Sequence, residues 1–248
     1  MILSVKGVSK SFGGLQAVRD ASLDIEAGRI VSLIGPNGAG KTTLFALITG
    51  FHVPDAGRVE FDGADITGQP PEQIAYLGMV RTFQIVQPFA DQTVRDNIAV
   101  GAHLHRAARR EALAKAEEVA RQIGLADRLD QDAASLTVAG RKRLEVAKAL
   151  ATDPKLILLD EVMAGLNPSE VRDVIPIIRA IRDAGVTIVL IEHVMQAVMN
   201  LSEHTWVLNQ GEIIASGPPA EIARDPAVIE AYLGHGMAAG ISREATRA

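Results

Sequence analysis

The sequence predicts an α/β fold on a mixed sheet, and three observations carry that prediction. Short, nearly all-apolar runs recur at Ile30–Ile34, Leu156–Leu159 and Val186–Ile191, as expected of strands covered on both faces. Helical patterns lie between several of them. A glycine-rich stretch, GPNGAGKTT at residues 35–43, joins the first run to an amphipathic segment, LFALITG, closed by Gly50 at the C-cap.

Size and composition agree with one large domain or a domain with an inserted lobe. The chain has 248 residues, 22% of them charged and 48% hydrophobic, close to the globular average. Thirty acidic against twenty-five basic side chains give a formal charge of −5, which lacks the electrostatic footprint of a nucleic-acid binder. Zero cysteines exclude a disulfide scaffold, a zinc-thiolate or iron–sulfur site and a cysteine nucleophile. The first residues hold no apolar stretch of signal-peptide length, and VTIVLI at 186–191 falls far short of the roughly 18–20 residues of a membrane span.

Taken in order, the opening segment and Ala21–Ile25 alternate and carry polar residues, so they are expected as edge or antiparallel strands. Residues 92–150 are rich in alanine and charge and poor in β-branched residues, which predicts an all-helical insertion. Its cluster of His103, His105, Arg106, Arg109 and Arg110 is read as a solvated face paired with Glu111, Glu117 and Glu118. Asn167, Pro168 and Glu170 fit N-cap, N1 and N3 of a following helix, and Pro176 predicts a kink or early break in it. TWVLNQGEIIASG reads as a hairpin turning at Asn209–Gly211, and the residues after Gly234 lack a hydrophobic period and are expected to be loosely ordered.

Chemistry concentrates in two places. In GPNGAGKTT, Gly35, Gly38 and Gly40 let the backbone turn so that successive N–H groups face a phosphate, where a side chain is expected to block the approach. Pro36, Asn37 and Ala39 complete that loop, and the helix start adds donors and partial positive charge. Lys41 suits the β and γ phosphates, the Thr42 hydroxyl a Mg²⁺ ion, and Thr43 the α phosphate or a cap. This predicts a nucleoside-triphosphate site. Asp160 and Glu161 end the buried run from Lys155, at the mouth where α/β sheets bind ligands. Asp160 is assigned to hydrated Mg²⁺ and Glu161 to aligning or deprotonating the attacking water.

With these motifs in order, the chain resembles the ATPase subunit of an ATP-binding-cassette (ABC) transporter, from about residue 3 to 234. The resemblance implies a P-loop NTPase (RecA-like) mixed sheet with an antiparallel β subdomain and an inserted helical subdomain. On that plan residues 1–91 and 151–215 form the nucleotide-binding core, 92–150 the helical lobe, 216–234 a C-terminal helical segment and 235–248 a tail. Phe12 in KSFGG then stacks on adenine, Gln84 in RTFQIVQPF senses Mg²⁺ and the membrane partner, and His193 in LIEHV contacts the γ phosphate. Singly, Phe12 suits core packing, Gln84 a polar loop and His193 a satisfied buried position equally well.

The family's LSGGQ signature, which closes on the ATP of an opposing subunit, falls on LTVAG at 136–140. Thr137 keeps the hydroxyl, Val138 and Ala139 replace two glycines, and Gly140 replaces the glutamine. Each added Cβ is expected to crowd the phosphate, Val138 more than Ala139. AGLN matches the D-loop, with Asn167 in place of aspartate. LTVAGRKRLEVAKAL, LLDEVMAGLNPSE and PAEIARDPAVIEAYLG resemble one ATPase of high-affinity branched-chain amino-acid importers, a group whose pattern urea and amide importers share. The resemblance implies ATP and Mg²⁺ as cofactors and a second cassette, different or identical, as partner. It also implies two transmembrane permeases, an indirect periplasmic binding protein, and a peripheral place on the cytoplasmic membrane face. A lipopolysaccharide-export ATPase and a soluble ABC-type ATPase are the alternatives.

Overall fold

The computed structural model describes residues 1–83 and 87–233. Gln84 and the tail after residue 233 therefore lie outside the described residues. In chain order the elements begin with β1 (Leu3–Phe12), β2 (Leu15–Ile25), β3 (Ile30–Ile34), α1 (Lys41–Ile48), β4 (Ala56–Phe61) and β5 (Ala64–Asp65). Next come α2 (Pro71–Leu77), β6 (Met79–Arg81), α3 (Val94–Ala102), α4 (Arg109–Gln122), α5 (Val138–Leu150) and β7 (Leu156–Asp160). The chain continues through α6 (Pro168–Asp183), β8 (Thr187–Ile191), α7 (Met195–Leu201), β9 (His204–Asn209), β10 (Glu212–Gly217), α8 (Pro219–Ile222) and α9 (Pro226–Leu233).

Two sheets result. Six strands in the order β10-β9-β3-β8-β7-β6 form the larger, parallel except for the antiparallel β9–β10 hairpin. Its three central strands, β3, β7 and β8, are buried at every position. Alternation divides their side chains between two cores. Leu156, Leu158 and Val189 pack with Phe45 of α1 and with Leu3, Val5 and Ile25 of the other sheet. Ile157, Leu159, Ile188 and Leu190 pack with α3, α4, α5 and α6 on the opposite face. The smaller sheet, β2-β1-β4-β5, is antiparallel where its pairings are described, as the alternating opening segment leads one to expect. Residues 92–150 supply helices and short 3₁₀ turns with one isolated bridge, Thr93 to Asp132.

The β9–β10 turn places Gln210 at φ 48° and Gly211 at φ 85°, the left-handed pair that a tight hairpin uses. Two expectations need correction. Helix α6 does not stop at Pro176: it runs on to Asp183, with Val171, Val174, Ile175, Ile178 and Ile181 buried while the proline ring sits on the exposed side. Burial along one stripe outweighs the loss of one backbone bond. The basic cluster is a solvated face as expected, but its partners differ. Arg106 pairs with Asp153 at 2.5 Å and Arg109 with Asp96 at 3.5 Å, while Glu117 and Glu118 go to Arg95 and Lys115. No described helix is long and apolar enough to cross a membrane.

Candidate functional site

The glycine-rich loop leaves the sheet at Ile34 and enters α1 at Lys41. Gly38 (φ 78°) and Gly40 (φ 103°) occupy the left-handed region that L side chains rarely adopt. The protein itself adds a second reason for glycine at two positions of this loop. A Cβ on Gly35 meets the Leu208 carbonyl oxygen at 2.0 Å, and one on Gly40 meets the Ala17 carbonyl at 2.3 Å. One on Gly38 meets nothing within 4 Å. Glycine at 35 and 40 is thus demanded by protein backbone pressing from behind, from β9 and β2. The Gly211 N–H bond to the Ala39 carbonyl (2.9 Å) seats the loop on the hairpin.

The anion-facing side has the donors a phosphate needs. Helix α1 has no side-chain cap and no acidic residue in its first turn, so its leading N–H groups are left for a ligand. The Lys41 ammonium is buried and donates to the carbonyls of Gly35 (2.7 Å) and Pro36 (2.9 Å). Burial lowers its pKa, opposed by the charges of Glu161 and Asp160, which places all three groups in one field.

Asp160 closes β7 and is 2% exposed, behind the lining of the cleft that its neighbour Glu161 reaches. Its carboxylate takes the Arg81 guanidinium at 2.5 Å, and its N–H donates to Thr82 Oγ1 at 3.1 Å. Glu161 follows with φ 51°, its N–H donating to the Ile191 carbonyl at 2.9 Å. Its Oε1 stands 3.6 Å from Nδ1 of His193. His193 is half exposed, which removes the alternative of a satisfied core histidine. Phe12 is likewise exposed, set edge-on against His52 at 5.2 Å between centroids, and does not belong to the core.

One open cleft brings together Phe12, the whole stretch Gly35, Pro36, Asn37, Gly38, Ala39, Gly40, Lys41, Thr42 and Thr43, and then Glu161 and His193. It does not include Thr137 or Ala139. These line a shallow depression with Arg128, Arg143 and Glu170 at the start of α5. There Thr137 caps the helix, its Oγ1 accepting from the Gly140 N–H at 3.1 Å. Neither Val138 nor Ala139 has a positive φ, and Val138 is half exposed, so helical backbone at these positions makes no demand for glycine. Asn167 caps α6 in a reciprocal box with Glu170.

Several neighbours escaped the sequence reading. Tyr232 of α9 also lines the cleft, its phenol beside the Gly35 N–H and its pKa raised by burial. Arg81 ends a three-residue strand, and only its place three residues before Gln84 marks it. Glu192 is buried, with Oε1 accepting from the Met163 N–H at 2.9 Å; burial lifts its pKa to about 7.

Hard oxygen donors at the loop exit (the Thr42 hydroxyl) and at the strand end (the Asp160 carboxylate) suit a magnesium ion in chemistry and charge. Uncapped amides and a buried ammonium suit a polyphosphate. The cleft fits a nucleotide.

Known proteins agree. The ABC transporter family model matches residues 18–164, and one for the branched-chain amino acid ATP-binding cassette transporter matches residues 212–238. The high-affinity branched-chain amino acid transport ATP-binding protein BraF of Pseudomonas aeruginosa is 41% identical over 94% of this chain and 98% of its own length. LivG of Escherichia coli, of the same description, is 41% identical with the same coverage. Among solved structures, a nucleotide-free ATP-binding cassette from an ABC transporter superposes with a TM-score of 0.87 at 32% identity, covering 94% of this chain and 99% of that one. Another cassette, in its ADP conformation, gives 0.86 at 33% identity with the same coverage. The chain therefore belongs to the ABC transporter family, as one of its ATP-binding cassettes.

Proposed function

We propose that this chain is the ATP-hydrolysing subunit of an importer for branched-chain amino acids, acting through separate permease subunits. The convergence of Glu161 and His193 on the phosphate loop carries the hydrolytic reading. The relatives' descriptions and the match over residues 212–238 support the substrate class.

In this reading the adenine rests on Phe12 and the phosphates lie along the amides from Gly35 to Thr43. Lys41 leaves the carbonyls of Gly35 and Pro36 to take the β and γ phosphates, which recovers its desolvation with a charge-assisted bond. Thr42 and Asp160, with Gln84, would hold Mg²⁺, which would supply positive charge to the phosphates. Binding it requires Asp160 to share its carboxylate between the metal and Arg81. Glu161 directs water at the γ phosphorus, and His193 donates to that phosphate.

A second cassette, identical or related, supplies its own counterparts of Thr137 and Ala139 to this nucleotide, a reading supported by these two residues lining a separate depression outside the cleft of their own chain. Closure on ATP and release after hydrolysis then drive the permeases from the cytoplasmic membrane face.

Reconstitution with two permeases and a binding protein in proteoliposomes tests the assignment. ATP-dependent accumulation of leucine, isoleucine and valine is expected. Failure to take up these three, with uptake of urea or another amide instead, contradicts the substrate class.

A further inference from the structure

Helix α5 turns a charged side chain inward. Lys142 is 8% exposed, and its ammonium donates to the Glu161 carbonyl at 3.0 Å. Burying an ammonium costs desolvation unless charge and hydrogen bonds answer it. Here the answer is the turn after β7, together with Glu192, whose carboxyl lies in the fields of both Lys142 and Glu161.

That turn is held from inside and from two neighbouring elements. The Glu161 N–H goes to Ile191, the Glu161 carbonyl accepts from Lys142 and also from the Ala164 N–H at 3.1 Å within the turn, and the Met163 N–H goes to Glu192. Glutamate at φ 51° lies in the left-handed region that L side chains rarely adopt, and such a residue persists only where its surroundings over-determine it. Of the anchors from outside the turn, two come from the end of β8 and the residue after it. The third comes from α5, about one turn beyond Thr137 and Ala139.

We propose that Lys142 is a positioning residue for ATP hydrolysis: by gripping the Glu161 carbonyl it fixes the orientation of the Glu161 side chain from helix α5. The loop this chain offers to an opposing cassette and the carboxylate serving its own nucleotide are then parts of one rigid unit. The proposal rests on Glu161 being the water-directing residue.

The test compares Lys142→Met, which removes the donor, with Lys142→Gln, whose amide still donates, and uses Glu161→Gln as reference. Each full-length variant is assayed for thermal melting, affinity for a fluorescent ATP analogue, and kcat and KM for ATP. Lys142→Met is expected to bind nucleotide within twofold of the parent, keep its KM, and lose at least tenfold in kcat. Lys142→Gln is expected to recover to within threefold. A lysine that only stabilises the fold lowers the melting temperature without separating kcat from KM. Should the methionine variant fail to fold, Lys142→Ala takes its place with the same expectation. Turnover within twofold of the parent in the donor-less variant, or equal losses in the Met and Gln variants, overturns the proposal. An active Glu161→Gln enzyme instead rejects the role of Glu161 itself, so the two failures are distinct.

Discussion

The phosphate loop and the Glu161 turn both leave a parallel strand at the same end of the sheet and both use left-handed backbone, yet they are held in opposite ways. At the loop, neighbouring carbonyls of Leu208 and Ala17 press against bare glycines, and backbone meets backbone. At the turn, two buried ionisable side chains join the backbone bonds: Lys142 of α5 on the Glu161 carbonyl and Glu192, just past β8, on the Met163 N–H. The glycine contacts depend on shape and carry no titrating group, although the Lys41 ammonium also holds the Gly35 and Pro36 carbonyls. The turn depends on charge, burial and protonation, and it is where the reacting water is to be directed.

Breaking the turn at its centre gives the largest expected effect. Glu161→Gln keeps the shape but removes the base, and turnover should fall by about 10²–10⁴ while ATP affinity is retained. Unchanged ATPase activity is the result that dismisses this role for Glu161.

At the loop the comparison can be sharpened with two glycines. Gly40→Ala brings a Cβ to 2.3 Å from the Ala17 carbonyl, a backbone atom with little room to yield, so nucleotide binding should be lost. Gly38→Ala meets only the cost of a positive φ, about 1–2 kcal/mol, and should keep measurable binding. Equal behaviour of the two in a binding assay contradicts the account of the loop.

Glu192 gives the turn a pH dependence that the glycine contacts of the loop lack. Burial raises its pKa from the ordinary 4.5 to about 7, with the charge of Glu161 adding to the rise and Lys142 and the Met163 and His193 amides opposing it. The folded protein thus holds this proton more tightly than the unfolded chain. Its stabilising contribution is complete below pH 4.5 and disappears as pH rises to about 7. Glu192→Gln abolishes the effect, so the variant should gain on the parent by up to about 3 kcal/mol between pH 4.5 and 8 in urea unfolding. A stability difference that does not change with pH refutes it. The smallest effect belongs to Asn167→Ala, which removes the cap of α6 and should cost about 1 kcal/mol, read as a lower unfolding midpoint.

What the sequence discloses follows the same division. The loop is local, so nine consecutive residues reveal it, and the central strands declare themselves because both faces are covered. Asn167, Pro168 and Glu170 are legible because capping is a short-range pattern. Arg81, Lys142 and Glu192 are not. Each is 79, 19 or 29 residues from the group it holds, and charge at a strand end or on a helix has no period that marks it as inward-facing. Pro176 misleads for the converse reason: propensity is local, while the burial that keeps α6 whole is tertiary.

The most direct measurement is a crystal structure of Glu161→Gln with Mg²⁺ and ATP. The account predicts a triphosphate along the amides of Gly38 to Thr43, Lys41 withdrawn from the Gly35 carbonyl, and the γ phosphate facing His193 and the amide introduced at position 161. A triphosphate seated elsewhere, or a Lys41 that keeps its bonds to Gly35 and Pro36 with ATP in place, contradicts it.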